Sequence, residues 1–167
     1  YIYFEGLKNY FYDFFEYRDT LRKFFYLSFN NKLKIQSKLV ALHIRLGDFL
    51  INNQSISPEK IRYAINFFTK KSYEIKIFSD SSSSRLKEYI NYSKLPENVS
   101  IVRSISPLVD IMKMSQSEII CGSPYSTFVE WARFLRNEDL DMNSYSLINQ
   151  ELYEKIAISP SKWNHFL

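Results

Sequence analysis

The sequence predicts an α/β fold built on a parallel sheet flanked by helices, and two observations predict it. Short apolar runs alternate four times in succession with stretches whose apolar residues recur at helical spacing. Each apolar run closes on small or polar turn residues, so strand and helix follow one another as βαβ units.

Residues 1–36 come first and are dense in aromatics, with 13 of the chain's 29 Phe, Tyr and Trp residues within the first 30 positions. Tyr10, Phe14, Tyr17, Leu21, Phe24 and Phe25 recur at intervals of three, four and one, which is helical. The segment, 1–36, is expected to be a connecting helix region packed on the sheet domain or on something missing, ahead of the α/β domain over 37–167. Asn30 and Asn31 end that helix.

The first strand is expected over 38–45, ahead of a Gly47-Asp48 turn. Alternation puts His43 and Arg45 on one face and Leu42, Ile44 and Leu46 on the other. A polar loop is expected over 46–57. Ser57, Pro58 and Glu59 then form a helix start, and Ile61, Ala64, Ile65 and Phe68 give that helix its apolar stripe. A second strand over 74–78 ends in Ser79-Asp80. The serine run 81–84 reads as a solvated turn with an N-cap for the helix carrying Leu86, Tyr89 and Ile90. A third strand at 99–103 leads to Ser106-Pro107 and a helix with Leu108, Ile111 and Met112. A fourth at 118–121 turns through Gly122, Ser123 and Pro124 into a helix over 125–135. A weak strand at 145–148 lies in an otherwise irregular tail.

Composition narrows the function. Hydrophobic content of 46% and charged content of 24% suit an ordinary globular domain. The net charge of +4 is mild, and the aromatics cluster in one apolar helix rather than between Lys and Arg, so nucleic acid is not expected as a partner. Neither a GxGxxG nor a GxxxxGK[ST] pattern occurs among only 3 glycines. Two histidines and one cysteine make no metal constellation, and Cys121 points to a reducing compartment. The expected location is the cytoplasm, with peripheral membrane contact as its variant and no transmembrane segment.

The polar residues of interest share the carboxyl edge of the sheet, where ligands bind in open α/β folds. Arg45 offers a planar fork suited to phosphate, and Gly47 lets a backbone come close to one. Asp80 can accept from the N–H groups of a guanine-type base. Ser126 and Thr127 open a helix, where unpaired N–H groups favour an anion. Each has an ordinary alternative: Arg45 and Asp48 as a salt bridge, Asp80 as a cap, His43 as a core histidine, Ser126 and Thr127 as N-capping residues. Phe128, Trp131, Ala132 and Leu135 read as core anchors of their helix.

Taken together, these clusters resemble the three motifs of the fucosyltransferase superfamily that includes α-1,2-fucosyltransferases and protein O-fucosyltransferases. HIRLGDF (43–49) resembles the first, usually His-x-Arg-Arg-Gly-Asp-Tyr, and IFSD (77–80) the second. SEIICGSPYSTFVEWARFL (117–135) is similar to the third, and YFEGLKNYF (3–11) to the region that precedes motif one in the α-1,2 group. The resemblance implies a Rossmann-like domain corresponding to the C-terminal donor-binding half of a GT-B glycosyltransferase. It implies GDP-fucose as donor, a glycan acceptor, inversion, and no cofactor or metal. By position, Arg45 would hold the β-phosphate, His43 the nucleotide, Asp80 the guanine, and Ser126, Thr127 and Phe128 the phosphates; Asp48 is the nearest candidate base.

Three departures stand out. Leu46 replaces the motif's second arginine, serines follow Asp80 where many relatives carry a second acid, and Pro124-Tyr125 replaces a tighter turn. The facing acceptor half has no counterpart in the chain, so a separate N-terminal acceptor domain or a homo-oligomer is expected. The alternatives are a transferase using another nucleotide sugar and a non-catalytic GDP-binding module.

Overall fold

The computed structural model describes residues 16–29, 34–51, 55–92, 94–102, 106–122 and 126–136. In chain order the elements are α1 (Arg18–Ser28), β1 (Gln36–Ile44), α2 (Gly47–Ile51), α3 (Pro58–Lys70), β2 (Glu74–Ser79), α4 (Ser83–Ile90), β3 (Val99–Ile101), α5 (Pro107–Ser115), β4 (Ser117–Gly122) and α6 (Thr127–Leu135). The four strands form one parallel sheet in the order β3-β2-β1-β4. The fold is therefore α/β and Rossmann-like. The chain runs outward from β1 through β2 to β3, then returns to lay β4 on the other side of β1. A reversal of this kind leaves a crevice between the carboxyl ends of β1 and β4.

Alternation along β1 sorts the core into two halves, as the period-two pattern requires. Val40, Leu42, Ile44 and Leu46 join Ile75, Ile77, Ile119 and Cys121 on the face covered by α3 and α4. Ala41, Phe78 and Ile120 join Ile111, Met114, Val129 and Ala132 on the face covered by α5 and α6. With helices on both sides, β1 is buried throughout its carboxyl half.

Local chemistry starts three of the helices. The Ser57 hydroxyl accepts from the Lys60 amide at 3.4 Å ahead of Pro58, Ser82 from Arg85 at 3.3 Å, and Ser106 from Leu108 at 3.3 Å ahead of Pro107. The serine run is thus less of a loop than expected: Ser82 caps α4 and Ser83 and Ser84 belong to it. A second difference is α2, a single turn inside the stretch expected to be a polar loop. The amides of Leu46 and Gly47 at its start donate to the Asp80 carboxylate just past β2, which no local pattern announces. The expected strand at 145–148 lies outside the described residues.

The described part of the aromatic N-terminal region docks on the sheet domain. Buried Arg18 donates to the Phe134 carbonyl at 2.6 Å and the Arg136 carbonyl at 2.8 Å, and the Tyr26 hydroxyl bonds Ser115. At the amino end of the sheet, Lys38 adopts a positive φ of 57° where the β1–β4 register shifts. Glu118 holds that bulge, accepting from the Lys38 amide at 2.6 Å and the Tyr73 hydroxyl at 2.9 Å. Burial and the facing Glu118 carboxylate push the Tyr73 phenol up to about 12. These contacts lie at the end of the sheet opposite the polar cluster.

Candidate functional site

The polar cluster forms where β1 and β4 end side by side. His43 pairs with Gly122 across the two strands. A Cβ built on Gly122 would lie 2.5 Å from the His43 carbonyl oxygen and 2.9 Å from both the His43 Cβ and a Val129 methyl. Only glycine leaves room for β1, β4 and α6 to converge there.

His43 is 5% exposed, and its ring stacks on Phe128 at 5.0 Å between centroids, with 25° between planes. Its Nδ1 faces the Ser126 hydroxyl at 3.5 Å. Burial is the main reason its titration falls to about 4; the nearby Asp80 opposes that shift and Arg45 adds to it. The ring is neutral at physiological pH. Ser126, itself 1% exposed, occupies the N-cap position of α6 but makes no side-chain cap bond there, because its hydroxyl is turned toward His43. Thr127 is the first helical residue and half-buried.

Arg45 follows the last residue of β1. Its Nε donates to one Asp48 oxygen at 2.9 Å and its Nη2 to the other at 3.0 Å. Its guanidinium carbon lies 4.6 Å from the centroid of Phe49, a residue 6% exposed. Below it, the Ser55 hydroxyl donates to the Arg45 carbonyl at 2.9 Å.

Asp80, just past β2, reaches back to the same loop. Its two oxygens accept from the Leu46 amide at 2.8 Å and the Gly47 amide at 3.0 Å. A Cβ on Gly47 would come within 2.7 Å of Asp80 Oδ2, so this glycine serves the close approach of a carboxylate from its own chain. Beside Asp80 a hollow opens at the carboxyl ends of β2 and β3, with hydroxyls from Ser79 and Ser81–Ser84 over Ile101 and Val102.

All eight residues singled out by the sequence, His43, Arg45, Gly47, Asp48, Asp80, Ser126, Thr127 and Phe128, thus fall on this one edge. Several also fill the ordinary role weighed for them: Arg45 and Asp48 are ion-paired, Asp80 caps backbone amides, and His43 is buried. Phe49 and Ser55 join the cluster as partners that the sequence does not single out, and Gly122, a turn residue by sequence, joins it as the strand partner of His43. The spacing of four between Arg45 and Phe49 is a visible signal for the first; Ser55 needs the closure of its own loop, and Gly122 needs the strand order. Among the described residues no group of three or more His, Cys, Asp and Glu side chains could hold a metal ion. No helix among them is long and apolar enough to cross a membrane.

No family model matches the chain, and no curated protein matches it. Among solved structures it is similar to a crystal structure of POFUT1 in complex with GDP-fucose, at a TM-score of 0.45 and 13% identity over 75% of this chain. It is also similar to a crystal structure of POFUT1 in complex with GDP, at a TM-score of 0.40 and 12% identity over 75% of this chain. The chain spans 44% of the first and 45% of the second.

Proposed function

We propose that this chain is the donor-binding part of a GDP-fucose-dependent fucosyltransferase, acting on a glycan acceptor with inversion and without a metal. The observation that carries it is the convergence of the three motif-like segments. Asp80 of IFSD grips the loop of HIRLGDF, while His43 of that segment lies on Ser126 and Phe128 of the third. The convergence sits at the topological switch point between β1 and β4, where a nucleotide's phosphates meet strand ends and a helix start.

In this proposal Arg45 and the first amides of α6 receive the diphosphate and neutralise the charge that grows as GDP leaves. Preorganised donors aimed at developing charge perform that task in place of a cation. Neutral His43 donates or accepts a hydrogen bond without adding charge, and it sets the position of Phe128 and Ser126. The serine-lined hollow beside Asp80 takes the nucleoside. The Asp48 oxygens already accept from Arg45, which favours a second reading, GDP binding without turnover by this segment alone, with a base supplied from beyond it.

Calorimetric titration with GDP, GDP-fucose, UDP and GMP, repeated on Arg45→Ala, tests the proposal. GDP and GDP-fucose are expected to bind well above UDP. The variant should lose roughly ten- to a hundredfold, corresponding to one charge-assisted contact of about 1.5–3 kcal/mol. Equal binding of GDP and UDP, or an unchanged Arg45→Ala, would overturn it. Turnover of GDP-fucose with offered glycans separates the two readings.

A further inference from the structure

We propose that Asp48 is a positioning residue rather than a base: it holds the Arg45 guanidinium in the orientation that a diphosphate ligand requires. The proposal rests on the donor-site reading above. Among the described residues, Asp48, Phe49, Ser55 and Asp80 restrain Arg45 and the backbone that follows it. Asp48 grips one edge of the guanidinium through two bonds of 2.9 and 3.0 Å. The buried Phe49 ring supports its face at 4.6 Å. Ser55 holds the Arg45 carbonyl, and Asp80 holds the next two amides.

The ion pair's contribution to stability does not account for this arrangement. The Arg45 and Asp48 side chains are 32% and 55% exposed, and they are three residues apart. Exposed pairs of this kind add little to folding. What a two-point carboxylate contact does supply is geometry, because it fixes the plane of a guanidinium whose long side chain otherwise samples many rotamers. A ligand that meets an ordered arginine does not have to order it on binding. The half-exposure of the pair matches a group poised at the mouth of a site.

Two measurements on the full chain test this. In 15N NMR spectra, the Arg45 Nε–Hε signal, assigned by its absence in Arg45→Ala, should be sharp in the parent and broadened or lost in Asp48→Ala, with the melting temperature nearly unchanged. By calorimetry, Asp48→Ala should weaken GDP by about two- to tenfold, the cost of immobilising one long side chain. Asp48→Asn, which keeps one acceptor for Nε, should recover part of that loss. In the Arg45→Ala background, Asp48→Ala should have no further effect.

Tighter GDP binding by Asp48→Ala would make Asp48 a competitor of the phosphate and overturn the proposal. So would an unchanged Nε–Hε signal, or equal losses in both backgrounds. If the parent ignores GDP, the donor-site reading falls separately. The same variants titrated with inorganic pyrophosphate then decide the role of Asp48, and indifference of pyrophosphate binding to Asp48→Ala overturns it.

Discussion

Acidification tests the environment of His43 directly. An imidazole in the unfolded chain titrates near 6.5, and in the folded chain burial holds His43 at about 4. Between those values the unfolded state binds a proton that the folded state refuses. The contribution is fully present above about pH 6.5, declines as the pH falls, and is exhausted near pH 4. At about 1.4 kcal/mol per pH unit, the loss across that window is about 3 kcal/mol. Urea unfolding at intervals from pH 7.5 to pH 4, on the parent and on His43→Gln, isolates the effect. Carboxylates and the chain's other histidine, His165, are common to both proteins and cancel in the difference. The stability of the parent relative to His43→Gln should therefore shrink by about 3 kcal/mol as the pH drops. A difference that stays flat from pH 7 to pH 4 would refute the placement of a neutral ring in the β1–β4–α6 junction.

Two further outcomes follow from the same junction. Gly122→Ala places a methyl group 2.5 Å from the His43 carbonyl, so it should destabilise the fold by about 1–3 kcal/mol in chemical denaturation and weaken GDP binding alongside. Cys121 is 1% exposed and burial pushes its thiol up to about 12, so in native buffer at pH 8 it should resist thiol reagents that label it promptly in urea.

The strands and long helices were legible because their signals are local. The apolar run 39–44, the Ser57-Pro58 start and the Phe128, Trp131, Ala132, Leu135 stripe are each complete within one element. What could not be read arises between elements. The turn of α2 begins with Asp80, which lies 34 and 33 residues beyond the amides it accepts from. Ser126 reads from sequence as a cap or an anion site; it holds the N-cap position of α6, and its hydroxyl faces His43, 83 positions earlier in the chain. The shared edge of the candidate residues followed from βα order alone. Which of them touch required β4 to return beside β1 rather than beside β3, and nothing in the local pattern of Ser117–Gly122 states that choice.

The docking of α1 has a consequence for how the chain is made. Arg18 waits for carbonyls 116 and 118 residues downstream, and Tyr26 for Ser115, 89 residues on. At a synthesis rate of about 5–20 residues per second, roughly 6–24 s separate the appearance of α1 from that of its last partner. During that interval Phe25 and Leu21 wait for the α5 and α6 residues of the cluster that they pack against. Although α1 precedes the sheet in the chain, it is thus among the last elements to find its place. Until the sheet that receives it has closed, this helix is open to chaperones and to premature association.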